Sequence, residues 1–130
     1  MSDVRNMAKA ARAASIPLAA TESEVKNEAL EGIARNLRQR RQEIFAANRR
    51  DMERSRQQQV SEPLLKRLTF DEKKLNSVLA GIDSLAEMAE PVGRTVEARE
   101  LDEGLELYRV TCPIGVIGVI FESRQDALVQ

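Results

Sequence analysis

From Val4 to Ala89 apolar residues recur every three or four positions, and beyond Gly93 they change to extended runs. The pattern predicts a helical part followed by strands. Val4, Met7, Ala8, Ala11 and Ala14 share one side of a first helix, small enough for close packing, which Pro17 should close. Thr21-Glu22-Ser23-Glu24 has the spacing of a capping box, in which the Thr21 hydroxyl accepts from the Glu24 amide and the Glu24 carboxylate from the Thr21 amide. A long helix should start there. Val25, Ala29, Ile33, Leu37 and Ile44, flanked by Leu30, Ala34 and Phe45, form one apolar stripe, with a bend expected at Asn48 or Arg49. The helical pattern weakens through Gln57-Gln58-Gln59.

Ser61-Glu62-Pro63 offers an N-cap with proline just inside a short helix that Leu64, Leu65 and Leu68 can anchor. Thr69 and Glu72 have the spacing of a second capping box, opening a helix with Leu75, Val78, Leu79, Ile82, Leu85 and Ala89 on one face and its end at Pro91. Gly81 in that helix costs about 1 kcal/mol relative to Ala, so a close backbone neighbour is expected against it. Beyond Pro91-Val92-Gly93, residues 95–101 and 105–112 flank Asp102-Glu103-Gly104, where Gly104 can supply the positive φ of a short hairpin loop. The run PIGVIGVIF at 113–121 then reads as a strand buried on both faces, since only Gly115 and Gly118 interrupt its apolar side chains. Such a central parallel strand needs neighbours the 130 residues do not provide, so the chain reads as a truncated part of a larger fold.

Composition narrows the chemistry. Twenty basic and 21 acidic residues nearly cancel, which gives no global attraction to nucleic acid or anionic lipid. The longest apolar run is far below the ~20 residues of a membrane helix, and Asp3, Arg5, Lys9 and Arg12 leave no apolar signal core, so a cytoplasmic location is expected. One cysteine and no histidine exclude, within this chain, a disulfide, a Cys-rich zinc site and histidine-based dyads. No catalytic residue or metal ligand is assigned.

Open α/β folds bind ligands at the carboxyl ends of parallel strands, which here is Phe121-Glu122-Ser123-Arg124-Gln125-Asp126. An ordinary polar loop has the same composition, and spacing alone does not separate the two. Gly115-x-x-Gly118 lacks the spacing of a phosphate-binding turn, and close backbone packing accounts for it more simply. Cys112, directly before Pro113 and without a histidine to activate it, reads as a structural thiol. Eight arginines between Arg35 and Arg56, set against Glu43, Asp51 and Glu53, form either a solvated helix face or a surface for RNA or another acidic partner. Their single aromatic neighbour, Phe45, lies on the apolar stripe and gives bases no stacking platform.

The segments Lys26-Asn27-Glu28-Ala29-Leu30, Ile44-Phe45-Ala46-Ala47-Asn48 with Asp51, Arg67-Leu68, Pro91-Val92-Gly93 and, most specifically, PIGVIGVIFESR at 113–124 resemble the N-terminal part of the glutamate-5-semialdehyde dehydrogenases, or gamma-glutamyl phosphate reductases, of the aldehyde dehydrogenase superfamily. The resemblance covers essentially the whole chain but only about a third of a family member's length. It implies an α/β parent fold, of which this chain would hold mostly α-helix, a β-hairpin and the first strand of the nucleotide-binding sheet. It also implies NADPH-dependent reduction of L-glutamate 5-phosphate to the semialdehyde, with loss of phosphate, in proline biosynthesis. In the family a cysteine attacks the acyl phosphate and hydride reduces the resulting thioester; that cysteine lies well beyond Gln130, and Cys112 does not match it.

By the same resemblance Ile120, Phe121, Glu122, Ser123 and Arg124 would lie beside the nicotinamide end of NADP and the substrate. Gln125 departs from the family's usual proline, which frees φ and restores an N–H. Residues 121–126 also contain no Asn to stabilise an oxyanion. The implied division is a helical part of the cofactor-binding domain at 1–93, a hairpin flap for homo-oligomerisation at 94–112, and the start of the dinucleotide-binding domain at 113–130. The chain alone is expected to be inactive. The alternative is a non-enzymatic helical interaction module that uses the Arg35 to Arg56 face.

Overall fold

The helical periodicity is realised as five helices, and the extended runs beyond Gly93 as two strands, in a computed structural model that describes residues 2–120. In order these are α1 (Ser2–Ala19), α2 (Ser23–Gln39), α3 (Arg41–Gln57), α4 (Glu62–Leu68), α5 (Glu72–Glu87), β1 (Thr95–Asp102) and β2 (Leu105–Val110). The described residues divide into two compact units, 2–26 with 89–118 and 27–88 with 119–120.

The core of the second unit follows from the stripes. Ala34 of α2 meets Leu75, Val78, Leu79 and Ile82 of α5, and Leu30, Leu37, Phe45 and Phe70 pack against this cluster. Leu75 is 1% exposed. The α5 residues have the three- and four-residue spacing that keeps side chains on one helix face. Leu85, expected on the same stripe, is exposed. Leu65 anchors α4 and is buried, whereas Leu64 is exposed. Pro63 occupies the first turn of α4, where its missing N–H costs nothing.

Three local expectations of the second unit are corrected. The interruption of the long helix falls at Arg40 (φ −94°, ψ 12°) rather than at Asn48 or Arg49. Residues 38–43 are all polar and give the helix no apolar contact to hold it straight, whereas Asn48 is buried and bonded. Helix α5 is capped by Asp71, whose carboxylate accepts from the Lys74 amide at 2.9 Å, while the Thr69 hydroxyl turns back to the Leu65 carbonyl at 3.0 Å and closes α4. Asp is as good a cap as Thr, and the Thr69 hydroxyl adds a second donor to the Leu65 carbonyl, which also accepts from the Thr69 amide at 3.1 Å. Gly81 has no atom within 4 Å of the position a Cβ would take, so no close neighbour explains it.

In the first unit, α1 continues through Pro17 instead of ending there. Pro17 has no N–H to give the Ala13 carbonyl, so the helix loses a bond there, and it stops two residues later in a tight turn, with the Ala20 amide donating to the Pro17 carbonyl at 3.1 Å. The Thr21 hydroxyl donates to the same carbonyl at 2.9 Å, so it closes α1 and does not cap α2. Val4, Met7, Ile16 and Leu18 are exposed, and the close packing suggested by the small residues of α1 is not formed.

Strands β1 and β2 pair antiparallel, with Ala98 opposite Tyr108 and Glu100 opposite Glu106. Gly104 takes φ +75° in the connecting turn, as its position predicts. Beyond the hairpin, residues 111–120 join no ladder. The strand expected over 113–121 is therefore absent through residue 120. A central parallel strand exists only through bonds to strands on either side, and the described residues offer neither.

Candidate functional site

Among the residues singled out from sequence, Ile120 is fully exposed, and Phe121, Glu122, Ser123 and Arg124 lie outside the described residues. The approach to them carries its side chains outward: Ile114, Val116, Ile117 and Val119 are exposed, contrary to the burial expected for this run. Neither Gly115 nor Gly118 has an atom within 4 Å of the position a Cβ would take, so close packing does not account for them. Gly115 instead takes φ +104°, a conformation that side-chain-bearing residues rarely adopt. Among the described residues no glycine-rich turn leads from a strand into a helix N-terminus, so these residues do not themselves form a dinucleotide cradle. Nor do three His, Cys, Asp or Glu side chains converge there as metal ligands. Cys112 is exposed.

The most developed polar constellation sits at the root of the hairpin. Glu90 Oε2 accepts from Lys26 Nζ at 2.8 Å and from Ser23 Oγ at 2.9 Å, and its Oε1 accepts from the Val92 amide at 3.0 Å. The Lys26 bond first, then the Val92 and Ser23 bonds, hold the Glu90 carboxyl down to a pKa of about 2, because each favours the charged form. One step further along, the Thr111 hydroxyl donates to the Pro91 carbonyl at 2.6 Å and accepts from the Arg94 amide at 2.9 Å. Backbone bonds from Gly93 N–H to the Thr111 carbonyl and from Thr111 N–H to the Arg94 carbonyl complete the closure, and Gly93 supplies the turn with φ +77°.

In the second unit an open groove of about 610 Å³ runs along α3. Phe45, Met52 and Phe70 line it, and Arg49, Arg56 and Glu72 stand at its sides. Beside it Asn48, 8% exposed, donates from Nδ2 to the Leu68 carbonyl and accepts at Oδ1 from the Phe70 amide, both at 2.8 Å. The arginine-rich segment is partly neutralised within the fold, with Arg38 paired to Asp83 at 3.2 Å and Arg40 to Glu43 at 2.9 Å. Phe45, half-buried, packs against the core and lies 6.5 Å from Phe70.

Sequence reasoning missed both Glu90 and Asn48. A carboxylate two residues before an amide in a Pro-x-Gly turn is a recognisable local acceptor, and that much of the Glu90 arrangement was readable. Its bonds to Ser23 and Lys26, 67 and 64 residues away, were not. Asn48 lies between Ala47 and Arg49 on a helix and has no local signature of its contact with residues 68–70.

No family model matches the chain. Curated relatives do. It is 59% identical over 127 residues to a gamma-glutamyl phosphate reductase of Acetivibrio thermocellus and 58% identical over 128 residues to one of Pelotomaculum thermopropionicum, matching 98% of this chain in each case. Among solved structures, the gamma-glutamyl phosphate reductase of Saccharomyces cerevisiae superposes with a TM-score of 0.90 at 39% identity over 95% of the chain, covering 32% of the yeast chain. That of Thermotoga maritima gives 0.89 at 36% identity over 94% of the chain, covering 30% of its own. The chain spans about 30% of the length of the curated relatives it matches. Over essentially all of its residues, it corresponds to the N-terminal part of the gamma-glutamyl phosphate reductase family.

Proposed function

We propose that the chain supplies the helical N-terminal part, an assembly hairpin and the first nucleotide-sheet segment of an oxidoreductase that uses NADPH to convert L-glutamate 5-phosphate into L-glutamate 5-semialdehyde in proline biosynthesis. The observation that carries this reading is 59% identity over 127 residues to a relative named for that reductase. In this reading residues 1–93 belong to the cofactor-binding domain, and the hairpin at 94–112 offers its free edges to another subunit of a cytoplasmic homo-oligomer. Ile120 to Arg124 meet the nicotinamide end of NADP and the substrate. That no helix among the described residues is long and apolar enough to cross a membrane agrees with such an enzyme.

The 130 residues do not carry the reaction alone. Cys112 is the sole thiol, it immediately precedes Pro113, and the sequence holds no histidine to deprotonate it. A chimera tests the whole reading: this chain replaces the matching N-terminal residues of the Acetivibrio reductase, and phosphate-dependent oxidation of glutamate semialdehyde with NADP is followed. We expect turnover from the chimera and none from the 130-residue chain. A folded chimera without turnover, or turnover by the purified chain alone, would overturn the proposal.

A further inference from the structure

We propose that Glu90 is a positioning residue which, together with Thr111, forms a two-stage clasp holding the β1–β2 hairpin in one orientation to the first turn of α2. The first stage joins Ser23 and Lys26 to the segment after α5 through Glu90 Oε2, and Oε1 passes the connection to the Val92 amide. In the second, Thr111 ties the Pro91 carbonyl to the Arg94 amide and so to both strands. The path from helix to hairpin is thus an unbroken series of hydrogen bonds of 3.0 Å or less.

Apolar packing does not supply this orientation. Every residue of β2 is exposed, and of β1 only Glu97 is partly covered. Among the described residues of the first unit, neither strand makes an extensive contact with a helix, whereas the strands contact each other along their length. A two-stranded hairpin without a buried face is marginal in water, so its attitude depends on whatever fixes its root. Charge-assisted bonds to a carboxylate are stronger than neutral ones, and here three donors converge on one group in a defined geometry. Lys26 and Glu90 have side-chain exposures of 25% and 28%, which shields the pair from much of the screening that weakens surface ion pairs. The clasp stands whether or not the hairpin joins subunits.

Orientation can be read directly from the distance between spin labels at Glu24→Cys in α2 and Glu103→Cys in the hairpin turn, in a Cys112→Ser background. We expect a single narrow distance distribution in the parent and a broad one in Glu90→Ala, while the α5 amides keep their hydrogen-exchange protection. The variant Lys26→Met should broaden the distribution as well, and adding it to Glu90→Ala should change nothing more. If Glu90→Ala does not fold, Thr111→Val breaks the second stage and is judged by the same readout. A distribution that stays narrow in the folded variants, or broadens only when the α5 amides lose protection, would overturn the proposal.

Discussion

Replacing Asn48 by alanine removes two hydrogen bonds that α3 makes to the connection between α4 and α5, and leaves the Leu68 carbonyl and the Phe70 amide without that side chain. A buried group deprived of its partner costs about 1–3 kcal/mol. Asn48 is 8% exposed, but it also borders the open groove, so water can reach at least one of the two orphaned groups. The lower part of the range then applies, about 2–3 kcal/mol for the pair. With a urea dependence of ~1–3 kcal/mol per molar, the unfolding midpoint should fall by about 0.7–3 M at unchanged slope. Asn48→Asp refines the test. One carboxylate oxygen can still accept from Phe70, but the other faces the Leu68 carbonyl, which penalises the charged form and raises the carboxyl pKa in the folded state. The loss should therefore be full above that raised pKa and shrink as pH falls toward the unfolded value of about 3.9, where the protonated acid can donate to Leu68. A shift of less than about 0.5 kcal/mol in Asn48→Ala, the ordinary range for surface substitutions, would show that water replaces the side chain and would refute this account.

Two further outcomes are expected. The depressed carboxyl of Glu90 contributes stability that is fully present above its unfolded pKa of about 4.3 and is lost as pH falls through about 2; midpoints measured from pH 6 to pH 2 should decline less steeply in Glu90→Gln, and parallel declines would contradict the bonding pattern. Gly81→Ala should raise stability by about 0.5–1 kcal/mol, since the added methyl enters open space in a helix interior, and a lower urea midpoint would show an unseen neighbour.

Helix existence and the faces of α2 and α5 were legible because each stripe repeats a local period, and Ala34, Leu75, Val78, Leu79 and Ile82 are buried where that period places them. Helix ends were less legible. Thr21 and Thr69 each had two possible carbonyl or amide partners within four residues, and both closed the preceding helix. The hairpin was readable from Gly104, whose backbone freedom fixes the turn. The run at 113–120 failed for a different reason. Its apolar composition describes the environment of a sheet interior, and the described residues contain only the two strands of the hairpin. Of the residues proposed to meet cofactor and substrate, only Ile120 lies within the described residues. The Glu90 clasp depends on residues 64 and 67 positions apart, which no local pattern reports.

Between Arg109 and Glu122 the sequence has no charged residue, and within that stretch Ile114, Val116, Ile117, Val119 and Ile120 are open to solvent. Short uncharged, β-branched windows of this kind are where chains aggregate through strand-to-strand stacking. Pro113 guards one end, Glu122 and Arg124 guard the other in sequence, and Gly115 and Gly118 lower the β-propensity in between. These gatekeepers slow self-association without covering the surface that drives it. A holdase chaperone should therefore bind this segment, and self-association through it should rise with protein concentration.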